Sequence, residues 1–206
     1  MKSPLTIGID FDNTIVLYDE LFYQCALEES LIPPDIAKEK RAIRDEIRRL
    51  PQGNDRWTVL QSIVYGQRMH EAKLADGFQD FMCWAKKAGH SVYIISHKTQ
   101  YPAMGAKVDL RFAALKWMQA QGFFNPESFG LNVDNDVFFE DTLPNKLHRI
   151  SAQKCTHFID DLEEVLCHSN FPKDVKRIHY TNTATNSNVS VCATWAEVLN
   201  LYLSPS

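Results

Sequence analysis

Two aspartates one residue apart stand directly after an apolar run near the start of the chain. Asp10 and Asp12 lie in the stretch IGIDFDNTIV, residues 7–16. Two carboxylates held close together cannot both ionise without a counter-charge, so such a pair indicates a bound cation, a shared proton or a reactive group. A structural alternative exists, because Asp and Asn side chains also hydrogen-bond the backbone of turns that follow strands.

Polar residues also follow three later apolar runs. Ser96 ends SVYIIS, Asp160 and Asp161 end THFIDD, and Lys146 follows VFFE at the start of a predicted helix. In an open parallel sheet, ligands bind beyond the carboxyl ends of the strands. Acids, a hydroxyl and a lysine at that edge are the groups that hold a divalent cation together with a phosphate.

Each of these residues has a simpler structural explanation when it is taken alone. Ser96 is then an ordinary strand-end hydroxyl, Lys146 a solvated surface lysine and Asp161 a helix N-cap. Asp160 is harder to explain in this way, because an acid that ends a buried strand needs a partner. The four residues together, in this order along the chain, favour a binding site.

The hydrophobic pattern indicates which elements position these residues. Predicted strands cover residues 6–10, 91–96, 137–140, 156–160 and 176–180. From residue 77 onward they alternate with helical patterns, including 107–121, 145–152 and one opened by Asp161. This alternation predicts an α/β fold with a central parallel sheet covered by helices on both faces.

A different pattern fills the segment between the first two strands. Residues 17–76 contain three helical patterns, at 19–29, at 35–50 with Asp35 as N-cap, and from 56 onward, and no strand pattern. We therefore predict a core domain of residues 1–16 and 77–206 and an all-helical insertion of residues 17–76.

Composition limits the class of protein. The chain has 206 residues, and its 45% hydrophobic and 23% charged residues are ordinary for a soluble globular protein. A net charge of −4 argues against a dedicated nucleic-acid binder. The five scattered cysteines indicate reduced thiols, so we expect a cytoplasmic protein. We expect neither a signal peptide nor a membrane span.

The motifs resemble those of the haloacid dehalogenase (HAD) superfamily of phosphohydrolases. Asp10-Phe11-Asp12-Asn13-Thr14 matches the first motif, Ser96 the second and Asp160-Asp161 the fourth. The third motif is a lysine, for which there are three candidates: Lys98, Lys146 and Lys154. Lys98 follows the serine closely and Lys154 lies before the fourth strand, at the other edge of the sheet, so Lys146 is selected. Asn13 stands where glycine is common in the family.

The resemblance covers nearly the whole chain and implies a fold and a mechanism. The fold is a HAD-like Rossmannoid three-layer arrangement with strand order five-four-one-two-three and a small helical cap inserted after the first strand. Asp10 is implied as the nucleophile that forms an aspartyl-phosphate, and Asp12 as general acid and base. Implied ligands of Mg²⁺ are Asp10, the backbone carbonyl of Asp12 and Asp160, with Asp161 either a direct ligand or one layer further out. Implied phosphate-binding residues are Ser96, Lys146 and Asn13.

Several functions stay open within this resemblance. We expect a magnesium-dependent phosphatase of a small-molecule phosphate ester, a sugar phosphate or a nucleotide, because a cap would limit substrate size. A polynucleotide 3′-phosphatase is one alternative, and a basic stretch would suit it: Lys38, Lys40, Arg41, Arg44, Arg48 and Arg49. A receiver-type signalling domain is the other, although its hydroxyl and lysine follow all its acids. The oligomeric state is left open.

Overall fold

The computed structural model of the protein describes residues 3–183 and 189–203. Contacts divide the chain into two compact units. The first comprises Met1–Val16, Leu74–Lys98 and Gly122–Ser206, and the second comprises Leu17–Lys73 and Thr99–Gln121. Residues 99–121, which the sequence placed in the core, therefore group with the inserted helices. That the insertion acts as a cap remains a prediction.

Six parallel strands form the sheet of the first unit. In chain order, the strands of the described residues are β1 (Thr6–Ile9), β2 (Val16–Leu17), β3 (Lys73–Leu74), β4 (Ser91–His97), β5 (Val137–Glu140), β6 (His157–Asp160), β7 (Lys176–Tyr180) and β8 (Ser190–Cys192). The sheet order is β5-β4-β1-β6-β7-β8, and every pairing in it is parallel. The predicted α/β class and strand order are thus confirmed. β8 is a sixth strand that the sequence did not predict. Its exposed Ser190 and Val191 give no apolar run.

Helices accompany this sheet and also make up most of the second unit. They are α1 (Asp19–Glu28), α2 (Lys40–Arg48), α3 (Gly53–Ser62), α4 (Phe78–Lys87), α5 (Leu110–Ala120), α6 (Leu143–Ala152), α7 (Glu163–Leu166) and α8 (Trp195–Leu203). Among the described residues, none of these helices combines the length and the apolar character needed to cross a membrane.

Two predicted helix caps are wrong. Asp35 does not begin α2, which starts five residues later after Glu39, because the backbone N–H of Lys40 donates to the carboxylate of Asp19 at 3.0 Å. Asp161 does not cap α7, whose N-cap is Leu162. The carboxylate of Asp161 instead accepts a hydrogen bond from Asn13.

The central strand of the sheet is fixed by close packing. Ile7 and Ile9 of β1 are fully buried. Between them, a Cβ added to Gly8 would lie 2.6 Å from the ring of Phe158 on β6, so only glycine fits there. The absence of a side chain at Gly8 lets β1 lie against β6, with their carboxyl ends side by side.

The second unit has its own apolar interior. The rings of Phe22 on α1 and Trp57 on α3 stack at 4.9 Å, and the indole N–H of Trp117 on α5 donates to the carbonyl of Ala72 at 2.8 Å. The prediction of an all-helical insertion needs one correction. β2 and β3, at the two ends of the insertion, form a separate two-stranded sheet, and each is too short to show an alternating pattern.

Candidate active site

The carboxyl ends of three neighbouring strands define the candidate site. β1 runs in register with β4 and β6, Ile9 opposite Ile94 and Ile159. Asp10 directly follows β1 and donates its N–H to the carbonyl of Ile159 at 2.8 Å, and Asp160 ends β6. The structure thereby brings together two acids that are 150 positions apart in the sequence.

Lys146 joins these two acids. Its side chain comes from the first turn of α6, which Thr142 begins by accepting the N–H of Asn145. The ammonium lies 2.6 Å from Oδ1 of Asp10 and 2.6 Å from Oδ2 of Asp160. Lys146 is only 2% exposed, so both contacts are buried ion pairs.

These ion pairs change the acidity of the groups involved. Burial by itself lowers the pKa of Lys146, but the carboxylates of Asp10 and Asp160 outweigh it and raise that pKa above its usual value. Burial raises the pKa of Asp160 to about 7; Lys146 opposes this increase and Asp10 adds to it. One ammonium therefore pairs with two carboxylates. Because it balances only one of their charges, negative charge remains at the strand ends.

A tight turn carries the first motif around the end of β1. The N–H of Asn13 donates to the carbonyl of Val16 at 2.8 Å, and Asn13 has a φ of +58°. Asparagine adopts this left-handed conformation more easily than most residues, which explains why it can replace glycine here. The Asn13 side-chain amide donates to Oδ2 of Asp161 at 3.2 Å, so it is directed at the fourth motif. Its predicted phosphate-binding role stays a prediction.

Asp12 has a lysine of its own, Lys98. The ammonium of Lys98 lies 3.0 Å from Oδ1 and 2.9 Å from Oδ2 of Asp12. Lys98 follows β4 directly, and its backbone N–H donates to the carbonyl of Glu140 at 2.9 Å. Sequence reasoning set Lys98 aside because of its spacing from Ser96. Its position at the carboxyl edge of the sheet was the feature that pointed to it.

The remaining predicted residues occupy clear positions. Ser96 is buried near the end of β4, opposite Phe139 of β5. Lys154 is exposed and precedes β6, at the other edge of the sheet. The phosphate-binding roles of Ser96 and Lys146 stay predictions.

Three acids are arranged so that they could hold a metal ion. One carboxylate oxygen from each of Asp10, Asp160 and Asp161 lies within 4.8 Å of the others. Oxygen donors of this kind suit Mg²⁺, and the residues present therefore fit the implied ion. That the backbone carbonyl of Asp12 is a further ligand stays a prediction.

A histidine supports the loop of this acidic group. Nε2 of His179 on β7 lies 3.0 Å from the backbone carbonyl of Asp161, and His179 is in register with Asp160. Because a carbonyl oxygen only accepts, Nε2 carries the proton in this contact. The histidine was not predicted from the sequence, since β7 begins with two charged residues, Lys176 and Arg177, and has only a short apolar pattern.

Comparison with known proteins extends these observations. No protein-family model matches the chain, and a search of curated proteins finds no match. Solved structures do match. A haloacid dehalogenase-like hydrolase from Streptococcus pneumoniae is 14% identical with a TM-score of 0.63, covering 98% of this chain and 100% of its own. Protein Tyrosine Kinase A from Mycobacterium tuberculosis is 15% identical with a TM-score of 0.64, covering 100% of both chains.

A third similar structure contains bound ligands. It is a HAD family hydrolase from Deinococcus radiodurans with bound phosphate and sodium, 10% identical, with a TM-score of 0.58, covering 97% of this chain and 95% of its own. At these identities the similarity concerns the fold. The sheet order, the motif positions and these structures together show that the chain has the fold of the haloacid dehalogenase superfamily of hydrolases.

Proposed function

We propose that the protein is a magnesium-dependent phosphatase that hydrolyses a phosphate monoester through an aspartyl-phosphate on Asp10. The observation that carries this proposal is the buried arrangement of Asp10, Lys146 and Asp160, with contacts of 2.6 Å on both sides of the ammonium. It supports the proposal because the carboxylate of Asp10, the proposed nucleophile, lies beside a buried positive charge and an acid that could help to hold a cation. The phosphate bound in the similar Deinococcus hydrolase is consistent with this reaction.

The proposed reaction has two displacements. A carboxylate oxygen of Asp10 bonds to phosphorus, the ester P–O bond breaks, and Asp12 gives a proton to the leaving oxygen. Asp12 then takes a proton from water as the water oxygen bonds to phosphorus, and the bond between phosphorus and Asp10 breaks. Lys146 offsets charge on Asp10 and on the phosphoryl oxygens. Mg²⁺, held by Asp10, Asp160 and Asp161, would supply further positive charge for the phosphate.

A dehalogenase is the second reaction that this fold suggests. A halide leaves as a stable anion and needs no proton, so a dehalogenase has no use for a second carboxylate as acid. Here Asp12 is held at both oxygens by the buried Lys98, and an acidic group stands beside the nucleophile. Both features favour phosphate chemistry. A receiver-type domain shares these groups but keeps its phosphoryl group instead of turning over.

The direct test measures turnover and the covalent intermediate. We expect the purified protein to hydrolyse 4-nitrophenyl phosphate with Mg²⁺, to stop with a chelator, and to release no halide from 2-chloropropionate. Asp10→Asn should abolish turnover and the hydroxylamine-labile phosphate on the protein, because an amide cannot form an acyl phosphate. The matched control is Asp134→Asn, at an exposed turn before β5. Turnover by folded Asp10→Asn, or turnover unaffected by the chelator, would contradict the mechanism.

We further propose a small-molecule substrate, a sugar phosphate or a nucleotide. The support is the position of the insertion between the first motif and β4, where a cap would lie in the chain. The basic residues of α2 and its preceding turn give little support to a polynucleotide substrate. Lys38 pairs with Glu20, and Arg44 and Arg49 pair with acids of α2 itself.

Competition between substrates tests this proposal. Small phosphate esters should be preferred over DNA 3′-phosphate ends and phosphorylated proteins. A strong preference for DNA ends would favour the alternative, a polynucleotide 3′-phosphatase. In that event Arg44→Glu with Arg48→Glu should weaken the macromolecular substrate and spare an aryl phosphate, since both side chains are on α2.

A further inference from the structure

We propose that Lys98 is a positioning residue for Asp12 and that it adapts the site to phosphate esters whose alcohol is a poor leaving group. This inference rests on the proposed phosphatase function. It adds a residue outside the matched motifs and names the substrate property on which that residue acts, the basicity of the leaving oxygen.

The burial of Lys98 is the first observation. The residue is 4% exposed, and a buried ammonium is costly unless it is paired and hydrogen-bonded. Its ammonium lies between the two oxygens of Asp12, at 3.0 and 2.9 Å. The Asp12 side chain is itself only 22% exposed. A surface ion pair would hold a carboxylate loosely, whereas this contact fixes both oxygens.

The backbone around Lys98 is also fixed. Its N–H continues the ladder between β4 and β5 by donating to Glu140, at 2.9 Å. The ammonium lies 5.6 Å from the centre of the Phe11 ring, and Phe11 packs edge to face against Phe139 at 5.9 Å. The Phe11 ring therefore flanks the buried ammonium that contacts Asp12.

Each of the two buried lysines pairs with a different aspartate of the first motif. Lys146 contacts Asp10 and Asp160, and Lys98 contacts Asp12. The pairing of Lys98 therefore concerns the group that gives a proton to the leaving oxygen and takes one from water. An oriented acid matters most when the leaving oxygen is strongly basic, because such an oxygen cannot depart without a proton. Esters of aliphatic alcohols have this property.

Two aryl phosphates of similar size separate orientation from general damage. 4-Nitrophenolate leaves without a proton, whereas the phenolate of phenyl phosphate benefits from one. We expect Lys98→Met to lower kcat/KM for phenyl phosphate roughly tenfold more than for 4-nitrophenyl phosphate, and we expect the same trend for Asp12→Asn. In the Asp12→Asn background, Lys98→Met should cost less than about threefold further, since the acid it positions is already absent. Lys87→Met, at an exposed end of α4, should match the wild type.

A second variant protects the test against a folding defect. Lys98→Gln keeps a hydrogen-bond donor without the charge, and we expect the same trend between the two esters at smaller size. Equal losses on both esters, or a wild-type rate on phenyl phosphate, would overturn the role of Lys98 while leaving the phosphatase intact. Absence of magnesium-dependent hydrolysis of either ester by the wild type would instead overturn the proposed function, and this inference with it.

Discussion

Replacement of Lys146 by methionine tests the electrostatics of the site without any assumption about substrate. Methionine has a similar length and no charge. The change removes the ammonium between Asp10 and Asp160, which are 4% and 0% exposed, and leaves two buried carboxylates facing each other. We therefore expect Lys146→Met to fold with clearly reduced stability.

The size of the loss follows from the burial. Removal of one partner from a buried ion pair typically costs about 3–5 kcal/mol. Two contacts of 2.6 Å depend on this one ammonium, but one carboxyl group can take up a proton and limit the cost. The burial of Asp160 already raises its pKa to about 7. We therefore expect a loss of about 3–5 kcal/mol at pH 8, and a melting temperature lowered by roughly 6–20 °C for a chain of this size.

Urea and thermal unfolding, each with and without Mg²⁺, measure this effect. The matched control is Lys154→Met, an exposed lysine before β6, which should stay within about 0.5 kcal/mol of the wild type. A cation that binds the folded state adds stability by mass action. Because the ammonium no longer repels it, Mg²⁺ should stabilise Lys146→Met more than the wild type.

Two results would refute this reasoning. The first is a Lys146→Met protein whose unfolding free energy lies within about 1 kcal/mol of the wild type, which would mean that the buried pairs contribute little. The second is a smaller effect of Mg²⁺ on the variant than on the wild type. That result would show that the ammonium and the cation do not share the same carboxylates.

Further predictions concern the acids, the core and pH. Asp160→Asn should raise the Mg²⁺ concentration needed for activity more than Asp161→Asn, since Asp160 is fully buried between its partners; the reverse order would contradict the assignment. Gly8→Ala should lower the free energy of unfolding by about 1–3 kcal/mol, because the added methyl group meets an aromatic ring at 2.6 Å, and an unchanged value would contradict the packing. Burial lowers the pKa of His157 to about 4, aided by Lys176. In the unfolded chain this histidine has a pKa near 6.5 and is protonated first. The free energy of unfolding therefore decreases as pH falls from about 6.5 to 4. With allowance for its partial exposure, His157→Gln should reduce that loss by roughly 1 kcal/mol; equal slopes in pH-dependent urea unfolding would contradict it.

The fold class could be predicted because strand and helix patterns are local. Alternating strand and helix patterns gave the α/β class, and the strand order implied by the resemblance matches the sheet. The start of α2 could not be read in this way. Apolar spacing continued back to Ile36, but the N–H of Lys40 is bound by Asp19, 21 positions earlier. A contact between distant residues therefore accompanies the first residue of the helix, which the local pattern does not mark.

The candidate site shows the same limit in its lysines. Chain spacing separated Lys146 from Lys98 and discarded Lys98, yet the structure buries both, at 2% and 4% exposure. Their partners in the first motif, Asp10 and Asp12, lie 136 and 86 positions away. In a parallel sheet, any residue just beyond a strand's carboxyl end reaches the same edge, whatever its distance along the chain. Spacing between motifs therefore cannot decide which lysine belongs to the site. The deciding property is the free-energy cost of burying an ammonium, which is offset only where a carboxylate pairs with it. Lys154 is exposed at the opposite edge, whereas Lys146 pairs with Asp10 and Lys98 pairs with Asp12.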